Sequence, residues 1–248
     1  MSKAYGFRLE ALRKAQNADG GWAFYSGKRS SWLEPTVYAA LALHGEPAAE
    51  RAWNLVRSWQ QPEGGWRSAA DLQESCWTTA LYLTLAAARG ESGAAVESGA
   101  RWVLEQFSGK GWSWQGRNSP AVEPTAHTLV ALRRFAKAGI AGPFRERIKQ
   151  GEEFLLDSGL DRETTGLTLL GLQSSRNLGK LPELAAQWAL ETPSPLAKAW
   201  IGIGLRLLGT EPPVQAETAP PRNLAILALE TLAASDGNYR FFRTEGLA

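Results

Sequence analysis

One cysteine, Cys76, in 248 residues leaves no intramolecular disulfide to form, so the chain relies on packing for its stability and suits a reducing compartment. Long apolar runs are also missing, and no uncharged stretch approaches the roughly eighteen residues of a bilayer-spanning helix. No excess of one charge exists either. Lysine and arginine total 27 against 25 acidic residues, and a net charge of +2 gives no electrostatic footprint for a nucleic-acid partner. A short basic cluster, Arg133-Arg134, reads as a solvated helix end. Residues Met1 to Arg8 run directly into a charged helical pattern without the apolar segment of a secretory signal, so a cytoplasmic location is expected.

Tryptophan, by contrast, is abundant: 11 residues that must line either a core or an apolar cavity. Three of them close a repeated phrase. Gln16-Asn17-Ala18-Asp19-Gly20-Gly21-Trp22, Gln60-Gln61-Pro62-Glu63-Gly64-Gly65-Trp66 and Gln106-Phe107-Ser108-Gly109-Lys110-Gly111-Trp112 share one spacing from Gln to Gly-Trp. Their glutamines lie 44 and 46 residues apart, which is room for a helical hairpin per repeat. The physics of the phrase is that of a helix stop. Glycine supplies the positive φ of a tight exit, tryptophan covers the turn, and glutamine bonds freed backbone groups.

Between these turns two kinds of helix alternate. Segments near 6–16, 47–60, 94–107, 143–157 and, more briefly, 181–191 carry charge on one face and are expected to meet water. Segments near 35–44, 76–88, 124–132, 164–174, 196–208 and 223–233 are almost free of charge all round, and such helices must be buried all round. Two concentric rings satisfy both demands, so the expected fold is an all-α (α/α)6 toroid, with an open solenoid of the same hairpins as its alternative. The last two repeats are thin, because the proline-rich stretch from Pro212 to Pro221 leaves little sequence for a sixth outer helix.

Gln-x-x-Asp/Glu-Gly-Gly-Trp followed by Glu34-Pro35-Thr36-Val37-Tyr38-Ala39-Ala40-Leu41 resembles the repeat of squalene and terpenoid cyclases and of protein prenyltransferase β subunits. Glu123-Pro124-Thr125-Ala126-His127-Thr128-Leu129 repeats the pattern, and the resemblance spans residues 1–135 before fading. It implies a single toroid domain over residues 1–248 whose inner helices enclose an isoprenoid-sized cavity. The implied function is that of an isoprenoid-processing protein similar to squalene-type cyclases. The alternatives are a zinc-dependent prenyltransferase-like protein and a non-catalytic toroid that binds an apolar small molecule or a protein partner.

The polar residues of interest stand where inner helices begin. Cyclases of this kind use an Asp-x-Asp-Asp acid motif, which this chain lacks; Asp161-Arg162-Glu163-Thr164-Thr165 resembles a variant of it, with Glu163 in the acid position and Asp161 beside it. These two residues read equally as caps of the following helix. Prenyltransferase β subunits hold zinc with Asp-x-Cys at one inner-helix start and His at the next. Here Glu74-Ser75-Cys76 and His127, 51 residues beyond the cysteine, resemble that set, which makes zinc the candidate cofactor. Glu34 and Glu123 precede prolines in a first helical turn, where the helix dipole favours a carboxylate without further purpose. Tyr38, Trp77, Tyr82 and Trp200 on the inner helices are candidates to line a ligand cavity or to fill it.

Overall fold

The computed structural model describes residues 3–135, 142–158, 160–175, 178–213 and 220–244, and among them it contains eleven α-helices and no strand longer than an isolated bridge. The outer helices are α1 (Lys3–Ala15), α3 (Pro47–Arg57), α5 (Ala94–Glu105), α7 (Gly142–Asp157) and α9 (Leu181–Glu191). The inner ones are α2 (Leu33–Ala42), α4 (Thr78–Ala88), α6 (Val122–Phe135), α8 (Thr165–Leu172), α10 (Pro195–Leu207) and α11 (Leu224–Ala234). The difference follows from composition. In α3 the buried residues Ala48, Ala49, Ala52, Trp53 and Val56 form one stripe, with Glu50, Arg51 and Arg57 turned to water. In α8 every residue is buried.

Packing order shows that the inner helices form a closed ring. Helix α2 packs on α4, α4 on α6, α6 on α8, α8 on α10, α10 on α11, and α11 back on α2. This is the α/α toroid expected from the alternation, and the closing α11–α2 contact excludes the open solenoid. The thin place falls where the prolines put it: no helix occupies residues 208–213 or 220–223 between α10 and α11, while the outer face of α11 is covered by α1.

The tryptophan of each repeated turn staples an outer helix to the next inner one. The indole Nε1 of Trp22, Trp66 and Trp112 donates to the carbonyls of Leu12, Val56 and Val103 at 2.9, 3.1 and 2.8 Å, in or near the last turn of the preceding helix. Their backbone N–H groups donate to the hydroxyls of Thr36, Thr79 and Thr125 at 2.9, 2.9 and 3.0 Å, in the first turn of the following helix. Gln16 and Gln60 add a second tie by donating to the carbonyls of Gly20 and Gly64, and to those of Ala48 and Ala95 in the next outer helix. Gly64 takes φ +102°, and a Cβ on its neighbour Gly65 would stand 2.5 Å from Ser75, so neither position admits a side chain without displacement.

Two further devices close the ends. At the N-terminal ends of the inner helices, the N–H groups of Leu33, Trp77 and Leu224 donate to the carbonyls of Ser68, Trp114 and Phe24 in neighbouring loops, which satisfies donors that a helix start leaves free. At the C-terminal ends a 3-10 helix, Asn238–Phe242, packs against α2, α4, α10 and α11. It is tied by Asn238 to the carbonyl of Ala42 at 3.0 Å and by Gln173 to that of Phe242 at 2.9 Å. Arg133 and Arg134 belong to this closure. They are partly buried, donate to the carbonyls of Gly171 and Phe241, and correct the expectation of a solvated helix end, because these bonds draw the guanidinium groups in against α8 and the 3-10 helix.

Trp66 is fully buried and stacks on Tyr82 at 3.8 Å between centroids. Trp66→Ala is expected to cost about 3–5 kcal/mol of stability in urea titration, against about 1 kcal/mol for Gln60→Ala. Equal losses would show that hydrogen bonding, instead of burial of the indole, holds the turn.

Candidate functional site

At the N-terminal ends of the inner helices, the loops that follow Trp22, Trp66 and Trp112 surround a cavity of about 590 Å³. Its aromatic wall consists of Phe24, Trp32, Trp77 and Trp114, paired as Phe24–Trp32 at 5.7 Å and as an edge-on Trp77–Trp114 contact at 5.1 Å. Backbone bonds from Leu33 and Trp77 into the neighbouring loops fix these rings in place. Trp114, 48% exposed, forms the open lip. Glu34 of α2, together with Trp77 and Thr78 at the start of α4, brings the inner helices into this lining.

Glu34 has an equivalent across the ring. The tryptophan-bonded threonines Thr36, Thr79 and Thr125 set a common register, and two residues before each stand Glu34, Trp77 and Glu123. One helical turn beyond each glutamate, on the same helix face, lies a second polar group: Tyr38 after Glu34 and His127 after Glu123. Neither carboxylate has a hydrogen bond or ion pair among the described residues. Burial, with the charge of Glu123 adding to it, pushes the Glu34 carboxyl up from 4.5 to about 8, and burial alone pushes Glu123 up to about 7. A helix N-terminus favours the ionised form by about 0.3–1 kcal/mol, too little to offset desolvation of this size. Glu123 therefore ionises first. At neutral pH Glu34 keeps its proton and is a carboxylic acid in an aromatic pocket.

Beneath the carboxyls the barrel axis is filled. Tyr38, His127 and Trp200 come from α2, α6 and α10, which are alternate members of the ring, and Phe242 rises from the 3-10 helix; all four are buried. The Tyr38 hydroxyl and His127 Nε2 are 3.3 Å apart and share a hydrogen bond. Burial lowers the His127 imidazole to about 3, so it is neutral, and raises the Tyr38 phenol well above its usual 10.0, with the charges of Glu34 and Glu123 contributing. His127 Nδ1 and Trp200 Nε1 are buried without hydrogen-bond partners.

The residues singled out in sequence fall into four places. Trp77 lines the cavity; Tyr38 and Trp200 belong to the axial filling; Tyr82 lies sandwiched between Trp66 and Trp53, at 3.8 and 5.3 Å, between the two helical layers. Asp161 accepts bonds from the backbone of Glu163 and Thr164 and from the Thr164 hydroxyl. Burial works against these bonds, yet together they lower its carboxyl below the usual value. Asp161 thus holds the turn that leads into α8. Glu163 is exposed and receives a long bond of 3.4 Å from Thr192.

Glu74, Cys76 and His127 do not assemble into a zinc site. Glu74 is exposed and bonded to Gln115, and the Cys76 thiol lies 3.2 Å from the Thr78 hydroxyl at the cavity wall. His127 is buried on the axis with Nε2 engaged by Tyr38. Among the described residues no three His, Cys, Asp or Glu side chains are placed to hold a metal ion. The reason is register. Cys76 precedes Thr79 by three residues, whereas His127 follows the equivalent Thr125 by two, which puts thiol and imidazole at different depths.

Glu34 and Glu123 are the residues whose importance the sequence reading missed by treating them as dipole partners. The signal was present: a carboxyl on a helix that is apolar all round has no aqueous face to occupy. A raised acid pKa makes the folded state the better proton binder, so stability is greatest below the unfolded value near 4.5 and declines as pH rises toward about 8. Glu34→Gln is expected to gain on the order of 1–3 kcal/mol over wild type at pH 9 and little at pH 4.5. Urea titrations at both pH values test this, and a pH-independent difference would rule out a displaced Glu34 titration.

No protein-family model and no curated protein matches the chain. Solved structures do. A protein from Actinoplanes superposes over 92% of this chain and 78% of its own at 18% identity, with a TM-score of 0.63. A type II terpene cyclase, MstE, from Scytonema, in complex with its product merosterolic acid A, matches 95% of this chain and 80% of its own at 20% identity and a TM-score of 0.60. An endoglucanase of glycosyl hydrolase family 8 from Klebsiella pneumoniae matches 94% and 97% at 14% identity and 0.64. At these identities the likeness is one of fold: the chain is built like α/α-toroid proteins of at least two chemistries.

Proposed function

We propose that the aromatic mouth binds an isoprenoid or comparable polyene, and that Glu34 donates the proton that starts its cyclisation or isomerisation. The observation that carries this reading is the placement of an unpaired, enclosed carboxyl inside a wall of Phe24, Trp32, Trp77 and Trp114. The proton passes from Glu34 to one carbon of an alkene, and the cation forms on its neighbour. A second alkene then supplies the electron pair for a new C–C bond, and loss of a proton from an adjacent carbon to the carboxylate of Glu34 or Glu123 restores a neutral product. The electron-rich ring faces attract the cation throughout. The isoprenoid substrate and product seen in the Scytonema cyclase complexes are of the class that this mouth suits. No step calls on zinc.

Paired carboxyls also favour a second reading. An acid and a base at the mouth of a toroid, beside exposed aromatics, are the groups that glycoside hydrolysis requires. The family 8 endoglucanase shares the fold.

Glu34→Gln is expected to reduce turnover of a prenyl diphosphate or polyene panel by about 10²–10⁴-fold, the usual contribution of a general acid. Glu163→Gln is expected to leave the rate nearly unchanged. Failure of folded wild-type protein to convert any member of the panel would sink the isoprenoid assignment. Release of reducing sugar from cello-oligosaccharides, lost in Glu34→Gln, would establish the glycosidase instead.

A further inference from the structure

We infer that Tyr38, His127, Trp200 and Phe242 form a floor that confines the ligand to the mouth and selects short prenyl chains, of two or three isoprene units, over long ones. The inference rests on the reading of the mouth as an isoprenoid site and names its substrate class. The four side chains are mutually packed: Tyr38–Trp200 at 5.6 Å, His127–Trp200 at 5.1 Å, Trp200–Phe242 at 5.7 Å and His127–Phe242 at 6.2 Å between centroids. None of the four lines the cavity, and each is 0–1% exposed. The axis of this barrel, which is the path that a long chain would follow inward, is therefore occupied.

Neighbouring helices are shaped around that filling. Gly166 in α8 faces Trp200 so closely that a Cβ on it would stand 2.7 Å from the Trp200 Cβ, and Gly204 in α10 would bring a Cβ within 2.8 Å of Leu169. These glycines let α8 and α10 approach and set the indole on the axis. Packing alone does not account for the residue types. Leucine or phenylalanine would fill the same space without leaving His127 Nδ1 and Trp200 Nε1 unpaired in the core. The rings are held by the Tyr38–His127 bond from the helices that carry Glu34 and Glu123, so the floor lies one helical turn below the proposed acid. A chain reaching the acid from the mouth meets the floor almost at once.

The test compares geraniol, farnesol and geranylgeraniol by tryptophan fluorescence and calorimetry. In wild type, dissociation constants for farnesol and geranylgeraniol are expected to agree within about twofold, since the fourth isoprene unit stays in water; a unit buried in the protein would tighten binding by at least about tenfold. Trp200→Gly or Phe242→Ala, with cooperative thermal unfolding confirming the fold, is expected to tighten geranylgeraniol by about tenfold and geraniol hardly at all. Tenfold tighter binding of geranylgeraniol by wild type, or an unchanged length preference in a folded variant, would overturn the floor while leaving the mouth as a prenyl site. Absence of binding by every prenyl alcohol would overturn the isoprenoid reading itself, and this inference with it.

Discussion

The six inner helices are apolar over most of their circumference and carry few charges, Arg133, Arg134, Lys198, Arg206 and Glu230 among them, so an ionised side chain facing the axis has no direction in which to reach water. Every polar atom on the ring must therefore be bonded, neutral or placed at an end. Threonines of the ring take the first course: Thr36, Thr79 and Thr125 accept from the tryptophan backbones, and Thr84 and Thr231 donate back to carbonyls of their own helices. His127 and Tyr38 take the second, with pKa values displaced away from charge. Glu34 and Glu123 are at the ends and are still desolvated, and Glu34 stands among the aromatic rings of the rim loops. The ring thereby favours the neutral form of each of these groups, a direct result of how little water reaches them.

Closure of that ring depends on local staples more than on a full complement of outer helices. Each tryptophan turn joins the end of one helix to the start of the next through two hydrogen bonds on one residue, so each of these connections is held by bonds local in the sequence. Where no helix occupies residues 208–213 or 220–223, α1 covers α11, and the 3-10 helix is tied to the ring by Asn238, which donates to the carbonyl of Ala42 in α2, and by Arg134 of α6 and Gln173 after α8, which donate to the carbonyls of Phe241 and Phe242. Residues from the chain's end thereby do two jobs: they satisfy helix termini, and through Phe242 they seal the axis.

The alternation of charged and apolar segments made the toroid legible, because burial on all sides leaves few architectures. The repeated glycine-tryptophan turn was equally legible, its hydrogen bonds being local. Direction along the ring was not. Tyr82 carries the same composition signal as Tyr38, yet one stacks on Trp66 between layers and the other reaches the axis. The zinc set failed for a related reason: sequence proximity to a helix start says nothing of depth, and depth is fixed by the threonine register, which only the tryptophan bonds reveal. For Glu34 and Glu123 the error was one of magnitude. The helix dipole is a real but small effect, and the aromatics around Glu34 come partly from its own loop, as Phe24 and Trp32, and partly from the next two repeats, as Trp77 and Trp114.

That origin also explains where the site lies. The mouth is built by the loops of the first three repeats, the same repeats whose Gln-Gly-Trp phrase is intact, while α8 follows a turn held by Asp161 and α10 starts with an ordinary cap at Ser194. A helix start that is exposed and capped needs only to complete the ring, so its sequence is free to drift from the repeat. A start that must also position an aromatic wall is held by backbone bonds to its neighbour's loop, as Leu33 is to Ser68 and Trp77 to Trp114. The aromatic arc of the mouth thus coincides with the three intact phrases, and the helices beyond residue 135 complete the ring behind it.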